Sequence, residues 1–403
     1  MNSTIKWLLA VISAMMRGEE APMPASDVDQ AFAARVAAFA HVDAILYYAK
    51  QSLGLPISSD EDDRFISGIV LDNAQRDALA ELLRVLPQSG IRVMPLKGSR
   101  LKSLYPTPEN RYMGDIDLLY DGDDEALLRA MTSLGYTATL WKRSEVHHVF
   151  QRGDISIELH FRLLHKRSPL ELPLSDLADR LHPAPEGEGV FDLDPSDFYL
   201  HLIAHAIMHL LEGGTGIRTF LDLGLYLRAH PELKNDSRVI TALSDEGLDS
   251  FVRQAEHLSA ILLDGEVPSK EDELALMGLL HSGIFGTEKG VTARSLNREG
   301  KTGVSRGVRI RYFISRIFPP LSLLSSLYPS KNGKRRSPLL YPILWLRRFL
   351  DILFSGKRRK RIKKSLTATA KVSDGELAAV RFEQSYFRVS TLTDKYEVHP
   401  DEN

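Results

Sequence analysis

The chain contains no cysteine. That excludes a disulfide framework, a thiol nucleophile and any cysteine-ligated zinc or iron–sulfur centre, and it fits a reducing cytoplasm, the location expected of the protein. Long apolar runs are also missing. No segment reaches the roughly 20 unbroken apolar residues that span a bilayer as a helix. The run from Trp7 to Met16 is shorter and leads into Arg17-Gly18-Glu19-Glu20 without a small-residue cleavage site, so a first amphipathic helix is expected there rather than a secretory leader. Nor does one sign of charge dominate the whole: 51 Lys and Arg against 53 Asp and Glu leave −2.

That near-neutrality conceals an asymmetry. From Lys301 to Lys364 stand 18 basic residues against Asp351 alone, a balance of +17, which leaves −19 on the remainder. An acidic body with a basic arm is not the pattern of a general nucleic-acid binder, and nucleic acid is not the expected partner; the arm by itself suits a local anionic one. The 403 residues, 43% hydrophobic and 26% charged, otherwise have ordinary globular composition and material for two or three domains.

Residues 1–89 form an expected N-terminal helical segment. Phe32, Val36, Phe39, Val42, Ile45 and Leu46 recur at helical spacing between Asp27 and Leu53, and Leu71-Asp72-Asn73 offers an N-cap for a helix bearing Leu79, Leu82, Leu83 and Leu86, closed at Gly90. Residues 90–165 have a different texture. Strands are predicted at Ile91–Met94, Asp115–Tyr120, Tyr136–Trp141, Val146–Gln151 and Ile155–Phe161, with a helix opening at Lys97 and another from Asp123 to Leu134. This is an α+β unit: a small mixed sheet flanked by helical segments. Pro183–Gly189 has linker composition, Pro195 can start a helix, and 190–300 is expected to be a helical domain. The basic amphipathic arm, 301–364, and a polar tail, 365–403, with a strand predicted at Ala378–Val389, complete the chain.

The chemistry concentrates in Pro95-Leu-Lys-Gly-Ser-Arg100 and Asn110-Arg-Tyr-Met-Gly-Asp-Ile-Asp-Leu-Leu119. Alternate residues of a strand share a face, so Asp115 and Asp117 point one way while Ile116 and Leu118 enter the core. Paired carboxylates repel unless a cation sits between them, and Mg²⁺ suits them because it prefers oxygen ligands and retains waters that phosphate oxygens can replace. Glu158, between Ile157 and Leu159, places a third acid on what should be an adjacent strand. Three such carboxylates can hold two metals about 3.5–4 Å apart, suited to in-line phosphoryl displacement. Gly98-Ser99 at a strand-to-helix turn lets backbone N–H groups approach phosphate, and Lys97 and Arg111 flank both elements as counter-charges for a triphosphate.

This order resembles the nucleotidyltransferase superfamily that includes DNA polymerase beta, whose pattern is a Gly-Ser turn, a D-x-D strand and a third acid. More narrowly, Leu96-Lys-Gly98, Arg111 and Gly114-Asp-Ile-Asp-Leu-Leu119 are similar to an uncharacterised bacterial nucleotidyltransferase family of LKG…R…GDIDLL type, as are Ile157-Glu-Leu-His160, the segment Leu200–Ala206 with Asp222 and, more loosely, Leu340–Arg348. The likeness extends over residues 30–350 and is specific in 94–160. It implies an Mg²⁺-dependent enzyme (Mn²⁺ being the substitute) that transfers NMP, most often AMP, from an NTP to an unidentified acceptor with release of pyrophosphate. Carried over by position, Gly98 and Ser99 match the phosphate turn, Asp115 and Asp117 the paired metal ligands, and Glu158 the third carboxylate. Two departures stand out: the interval from Ser99 to Asp115 is long for the superfamily, and the third acid is Glu, which reaches farther and can act through water or as a base. The alternative expectation is a nucleotide-binding or regulatory protein that keeps the fold without turnover.

His201, His205 and His209 make one helical stripe. It lacks the interleaved Glu of the zinc-protease pattern, so packing is expected, with ligand contact or metal as the other roles. His160 shares the Glu158 face and can orient the site; His147 and His148 are expected to be structural. In the arm, apolar Leu339–Phe354 followed by Lys357–Lys364 matches an anchor for an anionic membrane surface through residues 337–364, the alternative being packing on the acidic body.

Overall fold

The computed structural model describes residues 1–142, 146–164, 168–174, 180–283, 288–299, 340–356 and 372–395, with isolated positions between 307 and 369. Two cores organise it.

The first is helical. Helix α1 (Ser3–Met16) is capped by the Asn2 side chain, which accepts from the Ile5 N–H, and is buried almost all round. It packs with α2 (Gln30–Ala40) and α3 (Asp43–Ser52). The helical pattern expected over 27–53 is therefore two helices, broken where His41 takes a left-handed conformation at φ +55°. The same core takes in α7 (Pro195–Glu212), α8 (Ile217–Ala229), α9 (Ser237–Asp245), α10 (Asp249–Asp264) and α11 (Lys270–Ser282), through residues such as Phe220, Leu258 and Leu279. The N-terminal helices and the helical domain thus bury one another. Pro195 stands in the first turn of α7, where its missing N–H costs nothing.

The second core lies under a five-stranded sheet formed by β1 (Arg92–Pro95), β2 (Ile116–Asp121), β3 (Thr137–Leu140), β4 (His147–Arg152) and β5 (Ile155–His160), in the order β1-β2-β5-β4-β3. Only β2 and β5 are parallel, so the sheet is mixed and the α+β class holds. Ile116, Leu118, Ile157, Leu159 and Phe150 are fully buried on one face. They pack on Ala78, Leu82 and Leu86 of α4 (Ser59–Gln88) and on Leu127 and Met131 of α6 (Asp124–Ser133). The short α5 (Lys97–Leu101) follows β1.

Three local expectations are corrected. Helix α4 does not begin at Leu71-Asp72-Asn73: Ser58 and Glu61 form a capping box that starts it at Ser59, and Asp72, mid-helix, instead pairs with Lys102. Pro183–Gly189 is more than a linker: it joins β6 (His182–Pro183) to β7 (Phe191–Asp192), while Gly189 accepts from the Val93 N–H, tying the turn to β1. The strand predicted at Ala378–Val389 is helical up to Tyr386. A Ser373–Glu376 capping box opens the helix Asp374–Tyr386, which buries Leu377, Val380 and Gln384, a spacing of one helical face. Of the basic arm, the helix Tyr341–Phe354 is described, whereas most of Lys357–Lys364 lies outside the described residues.

Candidate active site

The opposite face of the sheet is polar. Register pairs Asp117 of β2 with Glu158 of β5, and His160 of β5 with His147 of β4. Because alternate residues share a face, Asp117, Glu158, His160 and His147 form a ladder across three strands. Asp115 stands just before β2 and continues it. Asp117 accepts from Lys97 Nζ at 3.2 Å and meets His160 Nε2 at 2.9 Å through the same oxygen. His160 Nε2 is also 3.4 Å from Glu158 Oε2, and His147 Nδ1 is 4.0 Å from that oxygen.

The charges divide unequally. Burial, then the negative charges of Asp117 and Glu158, push Asp115 up to about 7. Burial acts on Asp117 too, but Lys97 and His160 outweigh it and hold that carboxyl well below its usual range. Glu158 is likewise lowered: its burial is offset chiefly by the His160 hydrogen bond. Two acids are thus satisfied by protein cations, and the third faces their charge.

Oxygen donors of this kind are the ones a divalent cation prefers. Asp115, Asp117 and Glu158 are hard donors on adjacent strands, and Asp115 is strained electrostatically until a positive charge arrives. His147 adds to the set: the ligand atoms of His147, Glu158 and His160 all lie within 4.8 Å of one another.

The turn before α5 behaves differently from a simple phosphate loop. Lys97 itself has φ +29°, a strained backbone for a non-glycine residue, and this turn carries its ammonium to Asp117. A Cβ at Gly98 would come within 2.5 Å of Met113 Sδ and 2.9 Å of Arg111 Nη1, so close packing by itself requires glycine. The Ser99 N–H bonds back to the Leu96 carbonyl, and its hydroxyl lies 3.9 Å from Met113 Sδ.

Arg111 is committed elsewhere. Its Nε and Nη2 each donate at 2.8 Å to Asp222 of α8, whose Oδ1 also accepts from Tyr105 at 2.7 Å. Burial opposes its charge, but Asp222 keeps the guanidinium fully protonated. Besides Lys97, the cation that acts on Asp115 is Arg218 of α8, which the sequence reading did not single out. It donates to the Tyr112 carbonyl, makes no carboxylate ion pair among the described residues, and is lowered to about 10 by burial and by Arg111. Its position beside Asp115 follows from long-range packing that no local pattern signals.

Helix α7 supplies the histidine stripe. Lys97 acts electrostatically on His201, His205 and His209, so the stripe lies toward the carboxylate face. Burial, reinforced by that cation, lowers all three, His201 to about 3 and His209 to about 4. His205 and His209 approach Nε2 to Nε2 at 2.9 Å. His201 is buried with neither ring nitrogen hydrogen-bonded.

A small mixed sheet with carboxylates at Asp115, Asp117 and Glu158 on one face and helices on the other is the architecture of a nucleotidyltransferase-type α+β protein. Residues 26–264 match the family described as uncharacterised nucleotidyltransferase, and the chain belongs to that family. No curated protein and no solved structure matches the chain.

Proposed function

We propose that the protein transfers a nucleoside monophosphate, AMP from ATP in the first instance, to a hydroxyl or phosphate oxygen of an acceptor. The acceptor oxygen forms a bond to the α-phosphorus, the α–β phosphoanhydride bond breaks, and pyrophosphate leaves. The observation that supports this reading is the pairing of Asp117 with Glu158 on one sheet face, with Lys97 on Asp117 and Asp115 near enough to feel the charge of both acids.

Asp115, Asp117 and Glu158 would hold divalent cations, Mg²⁺ or Mn²⁺, which when bound lower the pKa of an attacking hydroxyl and neutralise the leaving group. Lys97 and Arg218 both act on Asp115 and would counter the β- and γ-phosphates. Gly98 and Ser99 would let the chain approach the polyphosphate closely. Arg111, held by Asp222, would fix the loop that presents Asp115 rather than touch substrate itself. The acceptor's proton would leave toward the carboxylate cluster, where Asp115, raised to about 7, is poised to take it and Glu158 is the alternative base through its longer reach.

Incubation with each α-labelled NTP, Mg²⁺ and cell extract tests the assignment. Label should move in wild type and not in the Asp115→Ala/Asp117→Ala variant; equal transfer by both would overturn it. One observation favours a second reading, a nucleotide-binding protein without turnover: Lys97 and His160 already satisfy Asp117. In that case ATP would raise the melting temperature while no label moves.

The helix Tyr341–Phe354 supports a second partner. Ile343, Leu346, Phe349 and Leu350 are exposed along it, as is Phe354 at its end, and the basic run Lys357–Lys364 follows. An apolar helical face joined to concentrated positive charge suits the surface of an anionic bilayer. Among the described residues no helix is long and apolar enough to cross a membrane, so contact would be peripheral.

A further inference from the structure

We infer that the Glu158 end of the acid cluster is a transition-metal site, in which His147 and His160 join Glu158 to hold a borderline divalent ion of the Fe²⁺, Co²⁺ or Zn²⁺ class before any nucleotide binds. This deepens the nucleotidyl-transfer reading and rests on it for what the ion does, though not for its being bound.

The register builds the site. His147 and His160 face each other across β4 and β5, and Glu158 lies two residues before His160 on the same face. The sequence Val146-His147-His148 offers two histidines, and the pleat separates them: His147 joins the acids, while His148 turns away to stack near Trp141 and Phe161. Glu158 Oε2 is 3.4 Å from His160 Nε2 and 4.0 Å from His147 Nδ1, and the two rings are 5.1 Å apart, centroid to centroid. Ligand atoms that each bond one metal at about 2.0–2.2 Å lie about 3–4 Å from one another. Glu158 already stands at that spacing from each histidine, and all three ligand atoms lie within 4.8 Å of one another, so a small inward shift of the rings would close them on one ion.

Donor chemistry then selects the ion. Two imidazoles and one carboxylate match the preference of Fe²⁺ through Zn²⁺ for nitrogen with oxygen, whereas Mg²⁺ takes oxygen ligands and water. Asp117, 2.9 Å from His160 Nε2, adjoins the site and links it to Asp115. The chain would therefore carry two unlike positions on one sheet face: an oxygen position at Asp115 and Asp117 suited to Mg²⁺ arriving with nucleotide, and a mixed nitrogen–oxygen position at Glu158 filled beforehand. Partial exposure of His147 and Glu158 leaves the ion reachable from the polar side of the sheet.

The test is metal binding without nucleotide. The full chain, freed of metal with a chelator, is titrated with Co²⁺ and followed by its visible absorption, then challenged with Mg²⁺. One equivalent of Co²⁺ should bind and resist a thousandfold excess of Mg²⁺, and His147→Gln should weaken binding by about tenfold or more with an unchanged thermal melt. Displacement by equimolar Mg²⁺ would overturn the inference, as would unaltered Co²⁺ binding by folded His147→Gln; should that variant not fold, the Mg²⁺ challenge on wild type decides alone. The two readings fail separately. Tight Co²⁺ binding with no label transfer leaves the metal site standing and removes the enzyme, whereas Mg²⁺-dependent transfer with no selective Co²⁺ binding does the reverse.

Discussion

Arg111 and Asp222 are 111 residues apart in the chain and meet in a buried bidentate pair, both N···O distances 2.8 Å. The pair joins the loop that carries Asp115 to α8 of the helical domain, and Tyr105 completes it. Breaking one partner of a buried pair leaves the other charge unpaired, at a cost of about 3–5 kcal/mol. Arg111→Lys keeps the charge but loses the fork. Urea unfolding should show Arg111→Lys and Asp222→Asn each destabilised on the order of 3 kcal/mol, with the double variant far from additive. Loss of ATP affinity by Arg111→Lys at unchanged stability would instead place the guanidinium on a phosphate.

Asp115 sets a pH dependence with a definite sign. Its folded pKa is raised from 3.8 to about 7 by burial and by its two acidic neighbours. A carboxyl raised on folding favours the fold below its unfolded pKa, and that contribution is lost as pH climbs from about 4 through about 7. In EDTA at pH 8 the ionised group costs the fold on the order of 4 kcal/mol, about 1.4 kcal/mol for each pH unit between the two pKa values. Asp115→Asn should therefore raise metal-free stability at pH 8 and have little effect at pH 4, measured by denaturant titration at the two pH values. Equal effects at both would show that the carboxyl is not held in this environment.

Much of this arrangement was legible locally. The acid-apolar alternation of Asp115 to Leu118 places Ile116 and Leu118 in the core, and the same alternation around Glu158 puts that acid on the Asp117 face. What could not be read depends on register or distance. Whether His147 or His148 joins the acids is decided by how β4 pairs with β5. The role of Arg111 depends on Asp222, and Arg218 joins Lys97 in acting on Asp115; Asp222 and Arg218 stand on a helix that packs back from more than one hundred residues away. The predicted strand at Ala378–Val389 failed because its mixed apolar pattern suits either period over a short window, and the deciding signal, Ser373 with Glu376, lies just outside it.

His201 gives a test of the stripe on α7. An unbonded buried polar ring costs about 1–3 kcal/mol relative to an apolar one, and neither of its nitrogens has a hydrogen-bond partner. His201→Leu should raise the melting temperature, corresponding to a gain on the order of 1 kcal/mol. A marked fall would mean that the ring meets a ligand or water that stabilises the fold.

The arm makes a separable prediction. A basic residue near an anionic surface contributes about 1 kcal/mol, an attraction that salt screens. The full chain should float with phosphatidylserine-containing vesicles at low salt, release as salt rises, and ignore neutral phosphatidylcholine vesicles. Removal of residues 337–364, or Leu346→Glu with Leu350→Glu on the exposed face, should abolish flotation; unchanged partitioning would assign the helix to packing instead.

Gly98 separates two reasons for one residue. Its place in the turn suits a close approach to phosphate, yet a Cβ there would already collide with Met113 Sδ and crowd Arg111. Overpacking of this kind costs about 1–3 kcal/mol, and the thioether, being flexible, can be removed independently. Gly98→Ala should lower stability and disturb the Arg111–Asp222 pair, and the same substitution made in a Met113→Ala background, which carries its own cavity cost, should cost much less because the contact with the sulfur is gone. If the double variant is as stable as Met113→Ala alone and ATP still binds it more weakly, the turn itself meets the nucleotide, because the packing reason has then been taken away. If both recover together, the glycine serves only to let Met113 and Arg111 close over α5, and phosphate recognition rests with Lys97 and Arg218.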